Sequence, residues 1–234
     1  MTADVVWPEA VLKATAGKSK VTATTIGGGR SLSGLEQVVA NDAGFWRLTM
    51  ANISVRSNAH VEVWNAIEVQ LQGRSGTVVV PMLDCMRSPW PTVDGKLLAS
   101  YGDIPFSDDA LFSDGVGFYQ PVIVADASSG IAERATSGTI RISYGGTLAA
   151  GMHFSVGERG YRIQRVLSTT DLGGGVASYT ITFWPPAREA IEAGTALNLD
   201  CPHFRARLAS DGEMDFDPEL FKFGRPTLNF VEDV

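Results

Sequence analysis

Residues 151–167, GMHFSVGERGYRIQRVL, and 176–184, VASYTITFW, decide the fold class. In the second stretch Tyr179, Ile181 and Phe183 alternate with Thr180 and Thr182. That two-residue period puts the three large side chains on one face of a strand. In the first stretch Gly157 separates two apolar runs, Met152–Val156 and Tyr161–Leu167. β-Branched and aromatic residues dominate both, as half-buried pleated surfaces require. Working outward, Thr139–Ser143 precedes this block and Ala196–Leu199 follows it. Gly145–Gly146, Gly157 and Gly173–Gly175 supply the turns. Five short strands so spaced predict a small closed barrel, because closure removes exposed edges. Pro185–Ala193 is predicted as a helical turn, with Pro186 tolerated at its start and Gly194 at its end.

The N-terminal side reads differently. Val21–Ile26 and Phe45–Val55 are predicted strands, the second with Trp46, Leu48 and Met50 set against Arg47 and Thr49. Gly27–Gly29 is expected to be a turn. In Asn58–Leu71 the apolar residues Val61, Trp64, Ile67 and Leu71 recur every three or four positions, the period of an amphipathic helix. Asn58 is its expected N-cap and Gly73 its stop. Thr77–Pro81 is a short apolar strand, and Pro81 places its end at a sheet edge. Ser88–Asp114 is rich in Pro, Asp and Gly and is expected to be a long irregular loop, of the kind that carries function or an interface. Tyr119–Ala125 reads as one more strand. His203–Leu208 and Thr227–Glu232 are final strands expected to return to the N-terminal sheet, since chain termini usually lie close together. The expected fold is therefore mainly β. Residues 1–137 and 203–234 form a β-sandwich-like domain with one amphipathic helix. Residues 138–202 form an inserted barrel of the OB or SH3-like kind.

The 234 residues carry a formal charge of −7 and a pI near 5.0, with no basic tract. Such a chain is not expected to grip nucleic acid sequence-specifically, because that needs a clustered positive footprint. A mean hydropathy of +0.05 hints at apolar surface held for partners. Cys85 and Cys201 are too few for a disulfide framework and are expected to be buried thiols. Met1–Ala10 has neither the charged nor the apolar region of a secretory signal, and no apolar run is long enough to span a membrane.

Catalytic patterns are missing from the sequence. His60, His153 and His203 share no metal-ligand spacing; Cys201 and His203 project to one face of a strand but lack two further ligands for zinc. No G-x-S-x-G elbow occurs. Gly27–Gly34 fails both phosphate-loop patterns, since no Lys follows the last Gly. Asp103, Asp108, Asp109 and Asp114 could supply a carboxylate pair or a loose calcium loop; their spacing matches no known loop pattern, and a solvated surface loop is the default reading. Arg188 is expected to cap the turn it sits on, or to pair with Glu189 or Glu192. No enzyme activity, cofactor or metal is expected. Aromatic residues are the better signal: Trp7, Trp90, Tyr101, Phe106, Phe112 and Phe118 gather at the N-terminus and in the long loop, and interfaces favour such residues. Trp184, at a strand end, is a possible platform for a sugar, although barrel core is the simpler reading.

Several short motifs then add up to a resemblance. Gly151 to Phe154, Gly160-Tyr161-Arg162-Ile163, Tyr179-Thr180-Ile181-Thr182-Phe183 and Pro185-Pro186-Ala187-Arg188 run into Ala193-Gly194-Thr195. Phe204, Ala206-Arg207-Leu208 and a closing Phe230-Val231-Glu232 follow. In the first half, Ser33-Gly34-Leu35-Glu36-Gln37, Trp46, Trp64 and Gly73-Arg74-Ser75-Gly76-Thr77 fit the same pattern. Together they resemble the distal tail (baseplate hub), or minor tail, proteins of long-tailed bacteriophages and phage-like gene transfer particles. The likeness covers most of the chain except Ser88–Ser137. It implies a homohexameric ring in the virion tail, made in the host bacterial cytoplasm. Such a ring joins the tail tube protein to the tail hub protein, the tape measure protein and receptor-binding parts. The first domain would surround the channel and the barrel would point outward. A carbohydrate-binding accessory module of a tail or cell-surface protein is the alternative.

Overall fold

In the computed structural model the described residues are 5–30, 33–34, 36–83, 88–98, 121–220 and 222–234, with backbone alone at 24–30 and 36–43. The protein is mainly β. Two six-stranded sheets account for most of it, and among the described residues there is one α-helix.

The first sheet is built from both ends of the chain. Its strands are β1 (Val5–Val6), β2 (Ala14–Arg30), β3 (Glu36–Ile53), β4 (Val78–Pro81), β13 (His203–Leu208) and β14 (Leu228–Glu232). They lie in the order β1-β4-β13-β14-β3-β2, with β1 parallel to β4 and every other pair antiparallel. Alternation decides the faces. Trp46, Leu48 and Met50 of β3, Phe204, Ala206 and Leu208 of β13, and Leu228 and Phe230 of β14 all point inward and are buried. Helix α1 (Asn58–Leu71) covers that face with Trp64, Ile67 and Leu71. Its N-cap is Ser57 and not Asn58: Ser57 is extended (φ −152°), and its hydroxyl accepts from the His60 N–H, which an oxygen already inside the first turn is not placed to do. After Leu71 the chain leaves the helix through Gln72 and Gly73, both left-handed (φ 48° and 67°).

Two expectations for this region fail for related reasons. Gly27–Gly29 lie inside β2 and not in a turn; Gly27 pairs with Val38 on β3. Glycine weakens a strand but does not forbid one when a partner strand satisfies its backbone. Residues 92–97, expected to be irregular, hold a small hairpin of β5 (Thr92–Val93) and β6 (Lys96–Leu97). Its turn is Asp94-Gly95, both at positive φ (50° and 74°), the backbone that a two-residue hairpin needs.

The second sheet is a nearly closed barrel. Its strands are β7 (Val124–Ala127), β8 (Ser137–Tyr144), β9 (His153–Val156), β10 (Arg159–Gly173), β11 (Val176–Trp184) and β12 (Ala196–Leu197). The order is β12-β7-β8-β11-β10-β9, and a single bridge, Ser155 to Asn198, ties the two ends together. Five strands were expected; the sixth, β7, starts upstream of residue 138 and pairs with β8 and β12 here, not with the first sheet. The barrel core is aromatic at its centre: Phe154 stacks on Tyr161 at 5.2 Å and meets Phe183 edge-on at 5.6 Å. Residues 185–193 are not helical. They run extended beside residues 131–135, with Arg134 N–H bonded to Ala187 O and the Ile131 and Ile191 backbones exchanging both bonds. The Ala187 and Ile191 backbone groups bond Arg134, Ala135 and Ile131, so they are taken by the barrel and not by a helical turn.

Candidate assembly site

The chain leaves the first sheet after β4 and comes back with β13, so the barrel must sit on the sheet through contacts distant in sequence. Trp46 is their centre. Its indole N–H donates to Gly160 O at 2.7 Å, across to the start of β10 in the barrel. Its backbone N–H donates to Glu232 Oε2 at 2.8 Å. Arg188, on the extended strap after β11, meets both oxygens of Glu232, at 3.1 and 3.0 Å, and also reaches Gly44 O. Glu232 is 1% exposed at its side chain and Arg188 12%. Arg188 thus pairs with the C-terminal strand, not with Glu189, Glu192 or its own turn. The planar guanidinium suits this two-point grip on a carboxylate.

Two further arginines extend the seam. Arg162 lies 5.3 Å over the Trp46 ring, donates to His153 Nε2 at 2.8 Å and to Ser19 O at 3.0 Å. Arg159 donates to Asp233 O and pairs with Glu189. Asp233 in turn pairs with Arg205 (2.9 Å) and Arg207 (2.6 Å). The end of the chain therefore delivers two adjacent carboxylates, Glu232 inward to Arg188 of the strap and Asp233 outward to Arg205 and Arg207 of β13. The Tyr161 hydroxyl accepts from the Arg188 N–H at 3.2 Å. Burial, against a smaller opposing effect of that hydrogen bond, raises Tyr161 above the ordinary tyrosine value. It stays protonated and structural.

The residues singled out from sequence spread over different places. Trp7 is not at a surface: it is 4% exposed, meets Trp64 and Phe230 edge-on, and donates to Leu12 O. An N-terminal tryptophan looked available only because β1 was too short to recognise. Trp90 is half-buried against the barrel core. Tyr101, Phe106, Phe112 and Phe118 lie outside the described residues, as do Cys85 and the carboxylates Asp103, Asp108, Asp109 and Asp114. Trp184 is half-buried and outside the barrel core; its indole lies against Gly44 so closely that a Cβ there would fall 2.1 Å from Nε1. Trp184 therefore belongs to the seam. Cys201 is exposed, contrary to expectation, because it sits in the loop after β12, held by Asn198 and Asp200. Among the described residues no group of three or more His, Cys, Asp or Glu side chains is placed to hold a metal ion.

The feature that sequence reading missed is the length of the β2–β3 hairpin. β14 pairs with β3 only from Arg47 to Met50. The β2–β3 pairing continues past that, from Thr22–Phe45 through Thr24–Asn41 to Arg30–Glu36. Among the described residues this outer part is a two-stranded arm beyond the sheet, and β2 is the sheet's edge strand throughout. The absence of Pro and charge in residues 21–29 was the available signal. A second arm, the end of β10 with β11 around Gly173–Gly175, projects from the barrel with Leu167 and Leu172 exposed. A scan against protein-family models and a search of curated proteins gave no match to this chain.

Proposed function

We propose that the protein is a non-enzymatic structural subunit of the tail tip of a long-tailed phage or phage-like particle. In this reading it forms an oligomeric ring, hexameric as the resemblance implies, that joins the tail tube to the hub and receptor-binding parts. The observation that carries the proposal is the β2–β3 arm. A lone two-stranded ribbon is marginal in water. An uncharged edge is also a ready template for another strand. Lys18 and Lys20 guard the part of β2 that lies on its own sheet, whereas residues 21–29 carry no charge. An arm of this kind is stable once a neighbouring copy extends its sheet. The seam fits the same role: with Arg188, Arg162 and Trp46 locking barrel to sheet, each subunit presents its two units in one fixed relation.

Light scattering after gel filtration tests this. A discrete mass near six times 25.0 kDa is expected. Shortening the arm by removing residues 24–41 should give a folded monomer. A full-length chain that stays monomeric, even when mixed with its tail tube protein, would sink the proposal.

A further inference from the structure

The pairing register of the first sheet gathers cations that the sequence scatters. Arg207 stands opposite Val231, Val231 opposite Arg47, and Arg47 opposite Lys20. Residues directly opposite share a face. This row therefore crosses four strands on the face that α1 does not cover. Lys18 is two residues along from Lys20 on the same side, and Arg205 two along from Arg207. Lys18, Lys20 and Arg47 are exposed, and Arg207 is 48% exposed at its side chain. Asp233 pairs with Arg205 and Arg207 and Glu158 with Arg205, and Glu213 reaches the same face through the Asn229 side chain. A chain of net charge −7 thus carries a positive sheet face.

The other side of the same domain is acidic at its centre, with Arg56 and Arg74 at the two ends of the helix and Lys222 and Arg225 after the acidic segment. Helix α1 has Glu62 and Glu68 and no Lys or Arg. Packed beside it, through the Trp64 N–H to Met214 O (2.9 Å) and the Trp64–Phe216 ring contact, runs the segment with Asp215 and Asp217. Glu68, Asp215 and Asp217 line one open cleft of about 360 Å³. Each side also offers an exposed valine: Val69 on the helix and Val6 on the sheet face, each 72% exposed.

We infer that the positive outer face of the first sheet docks the acidic α1 layer of a second copy of this chain. The two patches are different and lie on opposite sides of one domain. The contact is therefore head-to-tail, the arrangement that closes into rings when the rotation allows. Complementary charge fixes the partner and the order of stacking more than it adds raw affinity. The inference deepens the ring reading by naming the surfaces in contact, and it rests on that reading only in requiring self-association.

Charge reversal with rescue tests it. One variant is Lys20→Glu/Arg47→Glu and the other Asp215→Lys/Asp217→Lys; all four positions are exposed, and circular dichroism checks that each variant folds. The wild type should assemble at low ionic strength and lose mass as salt shortens the screening length from about 10 Å towards about 3 Å. Each variant alone should run as a 25.0 kDa monomer. An equimolar mixture should regain the wild-type mass, because every contact then joins opposite signs. A wild-type mass that both variants keep, or a mixture that stays monomeric, overturns the docking while leaving the ring reading intact. A wild type that is monomeric at low salt overturns it as well, and addition of the tube protein then judges the ring reading separately.

Discussion

Glu232 shows how much one residue near a chain end can hold. Its carboxylate is buried, accepts from the Trp46 backbone and takes two bonds from Arg188. Removing one partner of such a pair leaves the other charge without compensation, at about 3–5 kcal/mol for fully buried cases. Arg188 keeps Gly44 O and slight solvent access, so Glu232→Gln should cost about 3 kcal/mol, near the low end of that range. Urea denaturation measures it; a change below about 1 kcal/mol would mean the seam is held by packing alone. Tyr161 makes a different prediction. Burial raises its pKa, so the folded protein keeps the hydroxyl proton to higher pH than the unfolded chain does. The stability this contributes is complete below the ordinary value of 10.0 and is lost as pH rises through it towards the folded-state value. Tyr161→Phe should cost about 1 kcal/mol at neutral pH, for the lost acceptor to Arg188 N–H. It should also make the decline in melting temperature above pH ~10 shallower than in the wild type. Parallel alkaline curves for the two proteins would show that Tyr161 takes no part in that decline.

At the scale of elements, what could be read depended on whether the signal was local. The alternation of Tyr179, Ile181 and Phe183 predicted β11, and the three-to-four spacing of Trp64, Ile67 and Leu71 predicted α1, because each pattern sits within one element. β1 escaped notice because two residues carry no period; its place is set by Val78 and Val79 of β4, far along the chain. The glycines of β2 misled for the same reason. Local conformational freedom favours a turn there, while the partner strand, whose register no spacing reveals, favours extension. The strap after Trp184 was misread because a proline pair followed by Ala, Arg and Glu has the composition of a helix start. Its carbonyls and amides are taken instead by residues 131–135. The candidate site was less legible than the fold. Arg188 and Glu232 are 44 residues apart, and nothing near either one names the other. The positive face needs three strand registers before Lys20, Arg47 and Arg207 fall in one row. Such surfaces are written in pairing, not in composition.

For the whole molecule, the question is whether the first sheet depends on the barrel it carries. β4 and β13 are antiparallel neighbours, with Pro81 opposite His203 and Met82 N–H bonded to Pro202 O. The chain thus departs and returns at one point, as an insertion should. Replacing residues 83–201 by an Asn-Gly turn would make β4 and β13 a plain hairpin. The remaining domain keeps α1 and its buried Trp7, Trp46, Trp64 and Phe230, and should unfold in one cooperative transition by calorimetry. It should be less stable than the parent, since Trp46 loses Gly160 and Glu232 loses Arg188. The informative comparison is Glu232→Gln in both backgrounds. In the full chain the substitution strands Arg188. In the excised domain Arg188 is gone and Glu232 faces water, so the cost should fall from about 3 to below about 1 kcal/mol. An equal cost in both would place the effect in the Trp46 amide and not in the seam. No cooperative transition at all would mean that the sheet and barrel are one folding unit, and that the insertion is topological only.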